Sequence, residues 1–223
     1  MTKTLLFGGS GFFGPVILSK DPNIISVGRN SPPKECKNKH IQIDDLTQLN
    51  KLDNINFDKV IFLIGSSNHH EINLKDNMGI DLNVYPLNVA LSYFAKRKLK
   101  KFICFTTILL YDQKKLVIPV DETQDINPYA NKYIFSKYLS EEIVKFYQNT
   151  VPSIIVRLSN IYGYTELRRP DLIPTIMQDV FEKEKVEIWS NKPKRDFIFT
   201  EDAAEAVLKI LDTDFTGIVN LGS

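Results

Sequence analysis

Residues 4–14 read TLLFGGSGFFG, and the fold follows from how that stretch is taken. Thr4 to Phe7 form a short uncharged run of the length that suits a strand buried on both faces. Gly8-Gly9-Ser10-Gly11-Phe12-Phe13-Gly14 follows at once with G-x-x-G-x-x-G spacing, and residues 15–20 then take up a helical pattern. The chain has only ten glycines, and four of them fall in these seven residues. Glycine at such a turn permits φ > 0, lets a diphosphate approach the backbone, and lets helix and strand pack closely. The opening N–H groups of a following helix add partial positive charge. A strand, this loop and a helix in that order point to dinucleotide binding rather than a plain turn.

Working outward, apolar runs recur at residues 24–27, 41–43, 60–64, 102–106 and 154–158. Helical patterns lie between them at 83–98 and 133–148. The first of these ends in basic residues, as the helix dipole favours. This alternation predicts an α/β fold, a doubly wound parallel sheet of Rossmann type. After Gly163 the rhythm changes. A helix is expected at 172–185, a strand at 186–189, a strong helix at 201–211 and a last short strand in GIVNLGS. Residues 1–163 are therefore expected to form the dinucleotide-binding domain. Residues 164–223 should supply a small, shortened substrate lobe together with returning Rossmann elements.

The composition excludes several classes. The 223 residues are 43% hydrophobic and 25% charged, so a sizeable core is available and disorder is not the main state. Twenty-eight basic against 27 acidic residues leave a formal charge of +1, which gives no reason to expect nucleic acid or an anionic membrane as partner. The uncharged stretch 4–19 is broken by four glycines and lacks a cleavage signal, so it reads as strand and turn rather than as a leader. Two cysteines, Cys36 and Cys104, cannot form a disulfide framework, and a cytoplasmic setting is the simpler expectation.

The second strand should end at the residue that reads the adenosine ribose. Val27-Gly28-Arg29-Asn30 stands there, with no carboxylate to select NAD. A small residue followed by Arg29 favours NADP, through its 2′-phosphate; with Arg29 as a solvated loop residue the cofactor is NAD. Asp44-Asp45-Leu46 follows the third strand. A carboxylate there either meets the adenine amino group or caps a helix.

Tyr133 and Lys137 lie four apart on one helix face. A nearby ammonium favours the phenolate, which lets a tyrosine exchange protons with a substrate oxygen. Tyr129 is not the equivalent, because Tyr133 rather than a lysine follows it by four. Thr106 and Thr107 end the strand at 102–106, on the carboxyl edge where such sheets bind ligands. His69 and His70 follow the fourth strand near that edge, either as proton carriers or as a surface pair.

With these residues assembled, the chain resembles the extended short-chain dehydrogenase/reductases of the nucleotide-sugar epimerase/dehydratase type. The resemblance covers nearly the whole chain: FGGSGFFG at 7–14, DDL at 44–46, VIFLIG at 60–65, FTTILLYD at 105–112, YIFSK at 133–137 with Glu141 beyond, VRLSNIYG at 156–163, RDFIFTEDAAEAV at 195–207 and VNLGS at 219–223. It implies a cofactor site of Gly8, Ser10, Gly11, Phe12, Phe13, Gly14, Arg29, Asp45, Leu46 and Gly65, with Asp45 at the adenine. It implies Thr107, Tyr133 and Lys137 as catalytic residues, Lys137 also holding the nicotinamide ribose. Asn160 and Arg195 would meet a nucleotide-sugar substrate. The implied activity is hydride transfer at a sugar carbon, by a 4-ketoreductase or an epimerase using NADP or NAD, with a homodimer as the expected assembly. A non-catalytic dinucleotide sensor and a sugar 4,6-dehydratase are the rival readings. Departures are also visible. Ile108 and Leu109 stand where the dehydratases carry an acidic pair, Gly65-Ser66 replaces small alanines, Asp112 replaces a glycine, and Pro86-Leu87 replaces Gly-Thr. The sequence also stops after VNLGS, where relatives continue the sugar-binding lobe.

Overall fold

The first strand, β1 (Lys3–Phe7), runs through the middle of a seven-stranded sheet. The computed structural model describes residues 3–164, 171–183, 185, 186, 190, 192 and 194–223. Along the chain come α1 (Gly14–Lys20), β2 (Ile25–Gly28), β3 (His40–Gln42), β4 (Phe57–Phe62), α2 (His69–Leu74), α3 (Tyr85–Phe94), β5 (Lys101–Thr107) and α4 (Lys132–Tyr147). They are followed by β6 (Ser153–Leu158), β7 (Asn160–Tyr162), α5 (Leu172–Glu182), β8 (Phe197–Phe199), α6 (Thr200–Leu211) and β9 (Gly217–Leu221). The sheet order is β3-β2-β1-β4-β5-β6-β9, with every pair parallel. This is the doubly wound Rossmann arrangement the sequence predicts.

The alternation of side chains along each strand builds two cores. Leu5 and Phe7 of β1, Val60 and Phe62 of β4, and Phe102 and Cys104 of β5 join one cluster with Leu87, Leu91 and Phe94 of α3 and Val144 of α4. Leu6, Ile61 and Ile103, the residues between them, point the other way and join Ile17 and Leu18 of α1 with Ala203, Ala204, Val207 and Leu211 of α6. A strand covered on both faces has no polar side to show, which is why these runs are continuously apolar. Helices α1 and α6 are also tied by Lys20, whose ammonium lies 2.7 Å from Glu201 and 3.1 Å from Glu205.

The strand order reverses at β1, whose two neighbours lead away to opposite edges of the sheet. Loops leaving β1 and β4 therefore diverge and open a crevice at the carboxyl ends of the strands.

Three local expectations are corrected. The helix expected over 83–98 is α3, Tyr85–Phe94, entered through a π-type turn at Ile80–Val84. Pro86 cannot donate within a helix, so regular α-geometry begins at its first turn. The basic residues after Phe94 lie beyond the helix, and Arg97 instead turns back onto Tyr93 and Asp53. Second, the loop after β4 is not wholly irregular: Asn68 accepts from the Glu71 N–H and caps the short α2. Third, the chain beyond β6 forms a separate two-stranded parallel sheet of β7 and β8, pairing Ile161 with Ile198. The strand expected at 186–189 lies outside the described residues apart from Val186. Cys36 and Cys104 are free thiols. Among the described residues no helix is long and apolar enough to cross a membrane, and no group of residues has the make-up of a metal site.

Candidate active site

The crevice is a cleft of about 1090 Å³. That is at the top of the roughly 300–1,000 Å³ range of small-molecule sites, and leaves room for two ligands side by side. Its floor is the glycine turn. Gly8 has φ +88°, a conformation open mainly to glycine. A Cβ on Gly14 would stand 2.4 Å from the Gly8 carbonyl oxygen and 2.7 Å from the Gly9 Cα. Those backbone atoms cannot move aside, so Gly14 is needed for strand and helix to meet. Gly11 differs: its added Cβ would meet only the Gly8 oxygen at 3.4 Å, leaving an open face in the cleft. No side chain caps α1, so the first N–H groups of that helix are not consumed by one.

The side chains expected to be catalytic converge from two elements. Thr107 ends β5 and caps a one-turn 3₁₀ helix at Ile108–Leu110, its Oγ1 accepting from the Leu109 N–H at 3.2 Å. Tyr133 and Lys137 stand on α4, whose start is fixed by the Asn131 side chain accepting from the Ile134 N–H. All three residues line the cleft and are buried. The Thr107 hydroxyl lies beside the Tyr133 phenol and favours its ionised form. The Lys137 ammonium sits 5.9 Å from the centre of the Tyr133 ring.

The electrostatics differ from the simple expectation that the ammonium lowers the tyrosine. Burial pushes the Tyr133 phenol up to about 12, with the Thr107 hydrogen bond acting downward. Burial also brings Lys137 down to about 8. In both cases desolvation of the charged form outweighs the neighbouring groups.

Asn83 is a site residue that the sequence reading passed over, as the opening residue of a helix. It is buried in the π-type turn, and its Oδ1 accepts from the Ser66 N–H at 2.7 Å and from Lys137 Nζ at 3.4 Å. Its Nδ2 donates to Ser136 Oγ at 3.0 Å, and its carbonyl accepts from Ser140 Oγ at 3.2 Å. It thus ties α4 to the turn after β4. Gly65 must be small there, since a Cβ would lie 2.9 Å from Asn83 Oδ1. The legible signal was Pro86 three residues on, which puts Asn83 just before the helix proper.

Near Thr107, Glu141 and Arg157 form a buried two-pronged ion pair, with N–O distances of 2.9 and 2.8 Å. Thr106 donates to the same Glu141 at 2.8 Å. The Arg157 guanidinium lies over the Tyr111 ring, and Tyr111 donates to Asn220 of β9 at 2.7 Å.

Of the residues expected at the site, Gly8, Gly11, Phe12, Phe13, Gly14, Gly65, Thr107, Tyr133, Lys137, Asn160 and Arg195 line this one cleft. Asn160 also donates to the Asp196 carbonyl at 2.9 Å, which fixes β7 beside β8. Ser10, Arg29, Asp45 and Leu46 lie outside the lining. Arg29 is exposed just past β2. Asp45 accepts from the Thr47 N–H at 2.7 Å and caps the 3₁₀ helix Leu46–Leu52, and hydrogen bonds from Thr47 hold its carboxyl below the usual range. Leu46 packs on the core beneath. His69 and His70 are exposed, but the His69 ring meets Tyr133 edge-on at 5.4 Å and lines the cleft. Tyr129 is 77% exposed, away from this machinery.

A parallel sheet reversing at β1, with a glycine turn and a Thr–Tyr–Lys set lining one crevice, defines a Rossmann-type fold. The chain matches the NAD dependent epimerase/dehydratase family over residues 4–222, and it belongs to that family. It is 31% identical over 146 residues to the dTDP-D-glucose 4,6-dehydratase of Homo sapiens, covering 64% of this chain and 41% of that protein. It is 30% identical over 90 residues to the CDP-abequose synthase of Salmonella muenchen, covering 39% of this chain and 30% of that protein. The matched stretch thus spans less than half the length of either relative. The UDP-glucose 4-epimerase of Thermotoga maritima, solved with UDP-glucose, superposes with a TM-score of 0.86 at 21% identity, covering 100% of this chain and 77% of that one. That likeness shows the fold.

Proposed function

We propose that this chain is a nucleotide-sugar oxidoreductase, transferring hydride at a sugar carbon as a 4-ketoreductase or a 4-epimerase. The observation that carries the reading is the convergence of Thr107, Tyr133 and Lys137 on the cleft whose floor is the glycine turn. The dinucleotide fits this chain: Gly11 leaves an open face for a diphosphate, and the buried Lys137 ammonium stands beside Tyr133 to hold the nicotinamide ribose. When bound, the nicotinamide supplies the place where a hydride is taken up or given back.

The chain's own residues handle the proton. With its pKa at about 12, Tyr133 is protonated at neutral pH and meets a sugar carbonyl as an acid. Thr107, beside the Tyr133 oxygen, stabilises the phenolate left behind. Lys137, at about 8, is still largely charged at pH 7 and adds a positive field to that phenolate. Asn160 and Arg195 stand across the cleft to receive the nucleotide diphosphate, which suits a planar cation. Ile108 and Leu109 offer no proton-transfer group after Thr107, which disfavours a dehydratase despite the human relative. Arg29, exposed at the end of β2, favours NADP over NAD.

The test is a turnover screen of nucleotide sugars with both nicotinamide cofactors, run with Tyr133→Phe in parallel. The variant keeps cofactor affinity and loses on the order of 10²–10⁴-fold in turnover. Undiminished turnover removes Tyr133 from the acid/base role.

A further inference from the structure

Thr107 and Tyr133 together mark where the reacting sugar oxygen must lie, so the residues flanking them meet the substituents next to the reacting carbon. One flank is the 3₁₀ turn that begins directly after Thr107. Its two first side chains, Ile108 and Leu109, both line the cleft and are half-buried. Leu109 packs against Tyr133, Ile134, Leu110 and Ile72. Ile108 belongs to none of the three apolar clusters formed by the described residues. Its hydrocarbon surface is left to the cleft. The backbone of this turn is also largely spent: the Leu109 N–H goes to Thr107 Oγ1, and the Ile108 carbonyl accepts from the Tyr111 N–H at 3.2 Å. Ser66, Ser67 and His69, polar groups of the same cleft, come from a different segment, the turn and short helix after β4.

A hydroxymethyl group pressed against Ile108 and Leu109 would lose water and gain no hydrogen bond, whereas a methyl group would lose nothing. We propose that the sugar carries a methyl group beside the reacting carbon, so that the substrate is a nucleotide-linked 6-deoxyhexose with its methyl on Ile108 and Leu109. This rests on the nucleotide-sugar reading above and names the substrate class within it. The deoxygenation itself must come from a separate eliminating enzyme, since neither Ile108 nor Leu109 can transfer a proton.

The experiment compares kcat/KM of the full chain for UDP- and dTDP-linked glucose and galactose with that for their 6-deoxy counterparts, with NAD or NADP present. The sugar products are followed by chromatography, so that an epimerase, which returns its hydride and leaves no net absorbance change, is read as well as a reductase. The 6-deoxy sugars are favoured by about 100-fold, the scale on which an apolar pocket rejects an added hydroxyl. Ile108→Thr, which shortens the side chain by one carbon and puts a hydroxyl on this wall, narrows that preference by about tenfold. Equal kcat/KM for the two series overturns the proposal and leaves the nucleotide-sugar reading standing. A preference unchanged in Ile108→Thr overturns the role of Ile108. Hydride transfer with neither series overturns the nucleotide-sugar reading and the proposal with it.

Discussion

Lys137 is the residue at which function and stability pull hardest against each other. It is nine-tenths buried on α4, and its Nζ has a long 3.4 Å contact to Asn83 Oδ1 besides its place over the Tyr133 ring. Its pKa falls from 10.5 in the unfolded chain to about 8, a lowering that disfavours the folded state whenever the lysine must be charged. Below pH 8 both states hold the proton and the folded state bears the whole cost. Between 8 and 10.5 the unfolded chain binds more protons, so stability rises with pH; above 10.5 the cost is gone. The shift corresponds to about 3 kcal/mol, at about 1.4 kcal/mol per pKa unit. Lys137→Met is therefore expected to raise unfolding stability at pH 7 by about 2–3 kcal/mol while abolishing turnover. Urea unfolding at pH 7 and at pH 10 checks it: the gain at pH 10 must be much smaller. A variant less stable than the parent at pH 7 would show that Lys137 is held by interactions stronger than its burial cost.

At the scale of the element, the turn between β1 and α1 separates two uses of glycine. Gly14 is a packing glycine, with backbone atoms 2.4 and 2.7 Å from an added Cβ. Gly11 faces the cleft, where nothing stands closer than 3.4 Å. Gly14→Ala should destabilise the fold by about 1–3 kcal/mol through overpacking. Gly11→Ala should leave the melting temperature nearly unchanged yet weaken dinucleotide binding, because its methyl occupies the face a diphosphate approaches. Thermal unfolding and calorimetric titration of both variants decide the matter, and equal losses of stability would erase the distinction. The same turn explains what could be read without coordinates. The strands announced themselves because two-sided burial forces unbroken apolar runs, and the Tyr133–Lys137 pair because helix spacing is local. Asn83 stayed hidden because its partners, Ser66, Ser136 and Lys137, are 17 to 54 residues away in the chain. The extent of α3 was misjudged for a related reason. Residues 95–98 have helix-forming side chains, but Arg97 is drawn off by Asp53 from a distant loop. Asp45 makes as local a contact as a side chain can, its Oδ1 capping the helix through Thr47, and its other oxygen leaves the adenine reading open.

Across the whole molecule, the cleft runs along the carboxyl ends of β1, β4, β5 and β6, drawing on loops far apart in the chain. A dinucleotide lying in it would bridge both halves of the sheet, and its binding would be felt as global stability. At a concentration about 100 times its dissociation constant it adds about 2.7 kcal/mol. For a chain of this size that raises the melting temperature by about 5–10 °C. Arg29 is exposed at the end of β2, and the proposed NADP reading pairs it with a 2′-phosphate as one added charged contact. NADPH should therefore raise the melting temperature a few degrees more than NADH at equal concentration, and Arg29→Ala should close that gap. The charge being exposed, the gap should also shrink as salt rises from 50 to 500 mM, because screening weakens solvent-facing pairs. Equal shifts for the two cofactors in the parent chain would instead assign the site to NAD and leave Arg29 as a solvated loop residue.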